Sequence, residues 1–202
     1  MNQSEIAKYL KDFESKRERT IVIIDFGNVF KWYANLKWPV GIQQLGQLVK
    51  NFSTGKKFLR RFYYGSDYGT NEKKPVFDLR SKANLDMARM NGFEIQTKPV
   101  KYIRDKNYEG GFARKCDLDV EITVDLIRER DNYDTIILFS GDGDLMYAIR
   151  FLKVFFQKEC FVFGARDHIG REIFDCKKEG IIKDIFYAED FEYRLNKDRF
   201  RQ

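Results

Sequence analysis

The residues with most chemistry to offer are aspartates that follow short apolar runs. Asp25 ends one such run and opens Asp25-Phe26-Gly27-Asn28, while Ser140-Gly141-Asp142-Gly143-Asp144 follows another and Lys115-Cys116-Asp117-Leu118-Asp119 opens an apolar helical stretch. One aspartate in such a turn is accounted for by capping the orphan N–H groups at a helix start. Two carboxylates and two glycines packed into a single strand-to-helix turn exceed that need, because a cap takes one oxygen. Carboxylates brought together raise one another's pKa unless a cation neutralises them, and a hard divalent ion, magnesium or manganese, does so through oxygen ligands. One or two such ions orient a water for in-line attack on a phosphodiester and stabilise the leaving oxygen. This chemistry needs no histidine; the single one, His168, is expected at the surface or as a cap near Gly170.

Such residues converge only if strands end side by side. Apolar runs at 20–24, 58–64, 93–98, 135–139, 160–163 and 184–187 have strand length, and the segments between them carry helical spacing. Near-continuous apolar strands alternating with helices imply an α/β class, a three-layer α/β/α sandwich with a mostly parallel central sheet. In such sheets ligands bind beyond the carboxyl ends of the strands, where Asp25, Asp142 and Asp144 fall. Ile6, Tyr9, Leu10 and Phe13 recur at i, i+3, i+4 and i+7 and predict an amphipathic helix. The chain thus reads as a helical extension over 1–19, one domain over 20–190 and a charged tail over 191–202. Segments 65–75 and 104–114, rich in Gly, Asn, Asp and Lys, read as mobile surface loops. Asp117, Glu121 and Asp125 form an acidic stripe that requires a wet cleft, a cation or basic partners. Asp119 lies about 160° from the centre of that stripe, so the two sets share one ion only if the helix start is irregular.

A length of 202 residues fits a single domain with its own core. Three cysteines without a CxxC pair exclude a disulfide framework and a structural zinc, and point to a reducing, cytoplasmic setting. No apolar run approaches the roughly 18 residues of a membrane span and the amino end is charged throughout, so a soluble protein without a membrane is expected. The net charge is +6, and Lys56-Lys57, Arg60-Arg61, Lys73-Lys74 and the stretch 98–106 alternate with Phe58, Phe62, Tyr63, Tyr64, Tyr68, Tyr102 and Tyr108. That texture suits a nucleic-acid surface. Neither GxxxxGK[ST] nor GxGxxG after the first strand is present, which sets aside P-loop and dinucleotide-binding readings. Gly27 stands where an aspartyl-nucleophile phosphatase needs its second acid, and nothing places His168 as a base beside Ser140.

The three motifs together resemble those of the NYN domains, a branch of the PIN-like nucleases, and most of all the bacterial LabA-like group. The first-strand motif of that family, aspartate-x-x-asparagine, corresponds to Asp25 through Asn28. Its central motif corresponds to Lys115 through Val120 with Asp125, and its serine-glycine-aspartate-serine-aspartate to Ser140 through Asp144. The resemblance implies a PIN-like, Rossmann-like fold and a magnesium- or manganese-dependent ribonuclease, acting through Asp25, Asp119, Asp142 and Asp144 as metal ligands. Asn28 would orient the first loop or touch the substrate phosphate. Ser140 and Lys115 stand in the same motifs and, with Arg114 from the adjoining basic stretch, are expected to meet substrate; Asp117 and Asp125 are expected in support. Cys116, Leu118 and Gly143 depart from the usual glycine, aromatic residue and serine. The expected partner is single-stranded RNA; a homodimer is compatible with the sequence, and so is an RNA-binding or regulatory module that keeps the fold without cutting.

Overall fold

The computed structural model describes residues 3–15, 17–52, 57–68, 78–107 and 111–200. Lys56, Lys73, Lys74 and Tyr108, singled out in the sequence, lie outside them, as do the centres of both expected loops. Six strands form one sheet: β1 (Arg19–Asp25), β2 (Lys57–Tyr63), β3 (Glu94–Gln96), then, after a separate ribbon of β4 (Lys101–Arg104) and β5 (Phe112–Lys115), β6 (Thr135–Phe139), β7 (Glu159–Gly164) and β8 (Asp184–Tyr187). The sheet order is β3-β2-β1-β6-β7-β8 and every pairing in it is parallel.

The strands are apolar on both sides because both sides are covered. Val22, Ile24, Phe139 and Phe163 face a layer containing α1 (Gln3–Ser15), α2 (Phe26–Lys31), α3 (Tyr33–Leu36), α4 (Ile42–Lys50), α5 (Leu79–Met90) and α9 (Glu192–Leu195). Ile21, Ile23, Leu138 and Val162 face a layer of α6 (Asp119–Arg128), α7 (Met146–Phe156) and α8 (Arg171–Lys178). This is the expected three-layer α/β fold. Among the described residues no helix is long and apolar enough to cross a membrane.

Three expectations change. The ends of the supposed loop 104–114 are strands: Lys101 pairs with Lys115 and Arg104 with Phe112 in an antiparallel ribbon outside the main sheet. The stretch read as a charged tail continues the packing as far as Asn196, with Leu195 fully buried and Val40 bridged to Asn196. The alternation of basic and aromatic residues around 58–64 is largely a central strand rather than a nucleic-acid surface. Phe62 and Tyr63 are fully buried and Arg61 is 3% exposed.

Arg61 explains the acidic stripe. Its guanidinium lies 3.3 Å from Asp125, 2.8 Å from Glu129 and 3.3 Å from Glu94, and the Tyr63 hydroxyl donates to Asp125 at 2.8 Å. Lys98 holds Glu121 at 2.9 Å. Of the three ways to satisfy that stripe, basic partners are the one used. Asp125 belongs to this buried ion cluster and does not line the cleft described next.

Candidate active site

The site grows from the pairing of β1 with β6. Ile24 and Phe139 are partners in the parallel register, so the next residues of each strand, Asp25 and Ser140, emerge side by side. There the chain leaves in opposite directions: α2 buries Phe26 and Val29 in one layer, whereas Leu145 and Met146 turn into the other. Divergence of this kind opens a crevice at the carboxyl edge of the sheet. A cleft of about 320 Å³ lies here, lined by Asp25, Asn28, Asp119, Asp142 and Asp144, and by Lys31 and Lys115 at its rim.

The two strand-end loops are tied to each other by polar side chains. Asp25 caps α2 by accepting from the Asn28 amide at 3.2 Å, and it accepts from the Ser140 hydroxyl at 2.9 Å. Asn28 Oδ1 takes two donors, Trp32 Nε1 at 2.9 Å and the Gly141 amide at 2.9 Å, which fixes the orientation of its amide and leaves Nδ2 as its donor group. Ser140 Oγ also accepts from the Asp142 amide at 3.1 Å, and Asp142 in turn caps its turn by accepting from the Asp144 amide at 3.1 Å. Ser140 was expected to meet substrate; it is fully buried and its hydroxyl is engaged by Asp25 and Asp142, so its part is to position them.

Asp119 arrives from a third element. Helix α6 begins at Asp119, with Leu118 at φ −118°, ψ 14° before it, so Asp117 lies outside the helix and off the acidic stripe. That irregular start is the condition under which Asp117 and Asp119 can share a site. Asp117 Oδ1 accepts from the Asp119 amide at 3.1 Å, which brings the two carboxyls together. The Asp119 amide and carboxyl hold Asp117 below the usual carboxylate range. Burial, then Asp117, Asp142 and Asp25, push Asp119 up to about 7. Burial raises Asp25 as well and the Asp142 charge adds to it, against the Ser140 and Asn28 donors and Lys31.

The cationic side of the cleft is held by the β4–β5 ribbon. Asp67, 7% exposed, accepts from the Tyr102 hydroxyl at 2.6 Å and pairs with Arg114 Nε at 2.9 Å, clamping both strands to the body. Arg114, expected at substrate, therefore spends part of its fork on the clamp. Lys115 and Lys31 are exposed at the rim, and among the described residues neither makes an ion pair. Cys116 fills the cleft wall, its sulfur so close to Gly65 that a Cβ there would come within 2.9 Å of it.

A second recess of about 320 Å³ continues past Asn28, Asp142 and Asp144 to His168 and Glu172. Burial, with the Lys31 charge, depresses the His168 pKa, opposed by Asp142. Phe30, Lys31 and Glu172 were not anticipated as site residues. For Lys31 the signal existed, since a helix capped by Asp25 puts residues 28 and 31 on one face; Glu172 is brought in by the β7–α8 connection, which no local pattern announces.

The family model of the NYN domain matches residues 19–181. The chain belongs to the NYN domain family. The match covers every element that builds the cleft, and the motif residues of this NYN chain sit on the three elements that converge there. It is similar to the Low amplitude and bright protein LabA of Synechococcus elongatus, with 37% identity over 62 residues, 31% of this chain and 33% of LabA. The match thus spans about a third of that relative's length. In solved structures it resembles a protein of unknown function from Vibrio parahaemolyticus at TM-score 0.61 and 22% identity, covering 88% of this chain and 97% of that one, a likeness of fold. A T5 5′-exonuclease variant overlaps at TM-score 0.36 and 16% identity over 63% of this chain and 45% of its own, too slight to bear on function.

The donor set fits a hard divalent cation. The Asp142 charge raises the pKa of both Asp25 and Asp119, and Asp25 adds to the rise at Asp119, a repulsion such an ion would relieve. Among the described residues no three His, Cys, Asp or Glu side chains approach closely enough to cage an ion alone. Magnesium does not require a cage; it is held through one or two carboxylates and completes its shell with water and phosphate.

Proposed function

We propose that this NYN chain is a divalent-metal-dependent endoribonuclease that hydrolyses phosphodiester bonds in single-stranded RNA, with magnesium or manganese as its ion. The observation that carries this reading is that Asp25, Asp119 and Asp142, from three separate elements, line one cleft whose rim presents Lys31 and Lys115. Asp25 and Asp142 would hold the ion, with Asp119 joining as it loses its proton and Asp144 flanking on the exposed side. Once bound, the ion would supply Lewis acidity, polarising the phosphodiester and orienting a water for in-line attack. The chain itself does the positioning. Ser140 and Asn28 lock the two strand-end loops together, so the carboxyls of Asp25 and Asp142 are preorganised rather than gathered at the moment of reaction. Lys31 and Lys115 neutralise phosphates on the substrate strand.

The test is incubation of purified protein with labelled single-stranded RNA in magnesium, manganese or chelator, beside Asp142→Asn and with duplex RNA and DNA in parallel. Cleavage should require metal and fall about a hundredfold or more in the variant, at or beyond what even indirect metal partners cost. Cleavage indifferent to both chelator and substitution would sink the proposal. A second reading, an RNA-binding or regulatory module that does not cut, is favoured by Asp119, whose carboxyl, raised to about 7, is partly protonated at neutral pH. RNA binding without cleavage in either metal would establish it instead.

A further inference from the structure

Phe30 is an aromatic side chain that the fold does not bury although its neighbours on α2, Phe26 and Val29, are core residues. It is 42% exposed and lines the same cleft as Asp25 and Asn28. Its ring leans on Phe26 with centroids 6.3 Å apart, and Phe26 is wedged against Phe62 at 4.8 Å and Tyr64 at 5.3 Å. The platform beneath Phe30 is therefore packed core. The Arg80 guanidinium lies 4.8 Å from the Phe30 centroid, and Lys31 stands next to it in the chain.

An isolated exposed phenylalanine is ordinary; one inside a carboxylate-and-lysine cleft, with a planar cation over its ring, is not. The charged frame disfavours an apolar protein segment as its occupant. A ring joined to a phosphate satisfies both parts of the frame, because the base stacks while the phosphate meets Lys31 or Arg80. We propose that Phe30 forms a stacking subsite for one unpaired nucleobase of a single-stranded nucleic acid, held beside the aspartate cleft. The subsite rests on the nucleic-acid reading above and adds the strandedness of the substrate: a paired base keeps both faces in its own stack and offers none to Phe30.

The test measures binding rather than cleavage. The full chain carrying Asp142→Asn, in magnesium, is titrated by fluorescence anisotropy with a single-stranded oligoribonucleotide, with the same backbone made fully abasic, and with a duplex, in Phe30, Phe30→Ala and Phe30→Trp versions. Stacking on one aromatic side chain sets the expected loss for Phe30→Ala at roughly 5- to 150-fold on the normal strand. The loss should vanish on the abasic strand and on the duplex, and Phe30→Trp should restore binding; thermal melts confirm that each version is folded. Equal losses on normal and abasic strands would overturn the subsite while leaving the nucleic-acid reading intact. Failure of every version to bind any strand would overturn that reading, and the subsite with it.

Discussion

At the scale of single residues, Asp119 ties the site to solution pH. Its carboxyl is raised from an ordinary value of 3.8 to about 7, so the folded chain retains a proton that the unfolded chain releases across that window. The stability this contributes is complete below the unfolded value and is lost as pH rises through about 7. Asp25, also raised, acts in the same direction, whereas Asp117, lowered, exerts its effect only in more acid solution. In chelator the melting temperature should therefore be higher at pH 5 than at pH 8. Asp119→Asn should flatten the difference, and magnesium should stabilise more at pH 8 than at pH 5; scanning calorimetry at the two pH values decides, and identical profiles for both chains would refute the assignment. A second prediction separates two glycines of one motif. A Cβ on Gly141 would sit 1.8 Å from the His168 carbonyl oxygen, which is backbone and cannot yield, whereas one on Gly143 would meet the far end of the Glu172 side chain at 2.4 Å. Gly141→Ala should cost about 1–3 kcal/mol by overpacking, roughly 2–4 °C of melting temperature per kcal/mol. Gly143→Ala should change stability little because Glu172 can swing aside.

At the scale of elements, the ion cluster joining β2 to α6 allows stability and chemistry to be pulled apart. Asp125 is 5% exposed and is shared by Arg61, Tyr63 and Arg128, so Asp125→Ala leaves a buried guanidinium short of a partner. The expected loss is about 3 kcal/mol, the lower end for a broken buried pair because Glu94 and Glu129 still hold Arg61. The metal dependence of the remaining cleavage should be unchanged, while Asp119→Asn should show the opposite pattern, folded but inactive; denaturant melts alongside the cleavage assay distinguish the two. Elements also set what the sequence could disclose. The parallel sheet was legible because strands buried on both faces must be apolar runs, and the meeting of Asp25 with Ser140 and Asp142 followed from strands that end together. The β4–β5 ribbon was not legible, because its strands are polar, lie half-exposed beside the sheet and are defined by their pairing with each other. Nor was the burial of Arg61 and Tyr63: a basic and aromatic alternation on β2 reads as a binding surface until an acidic helix is seen to cover it. Glu172 reaches the second recess through tertiary packing alone.

At the scale of the whole molecule, the question is what the fold requires to stand. Helix α1 precedes the first strand and would be dispensable if it were only an extension. Its side chains argue otherwise, since Ile6, Leu10 and Phe13 are 1%, 3% and 3% exposed and belong to the same core cluster as the β1 and β7 strand residues. Phe13 packs edge-on against Phe161 at 4.7 Å and Phe52 at 5.5 Å, and Tyr9 meets Phe186 at 5.5 Å. Burying three such apolar side chains contributes about 1.5–3 kcal/mol each, a sum of the same order as the roughly 5–15 kcal/mol that separates a folded domain from its unfolded chain. We therefore predict that a chain beginning at Arg17 either fails to fold or exposes Phe52, Phe161 and Phe186 and self-associates, even though it retains every residue proposed to act on substrate. Size-exclusion chromatography with dye binding to exposed apolar surface reads this directly. A monomeric truncated chain with unchanged melting behaviour would show that α1 is an extension after all, and that the domain closes without it.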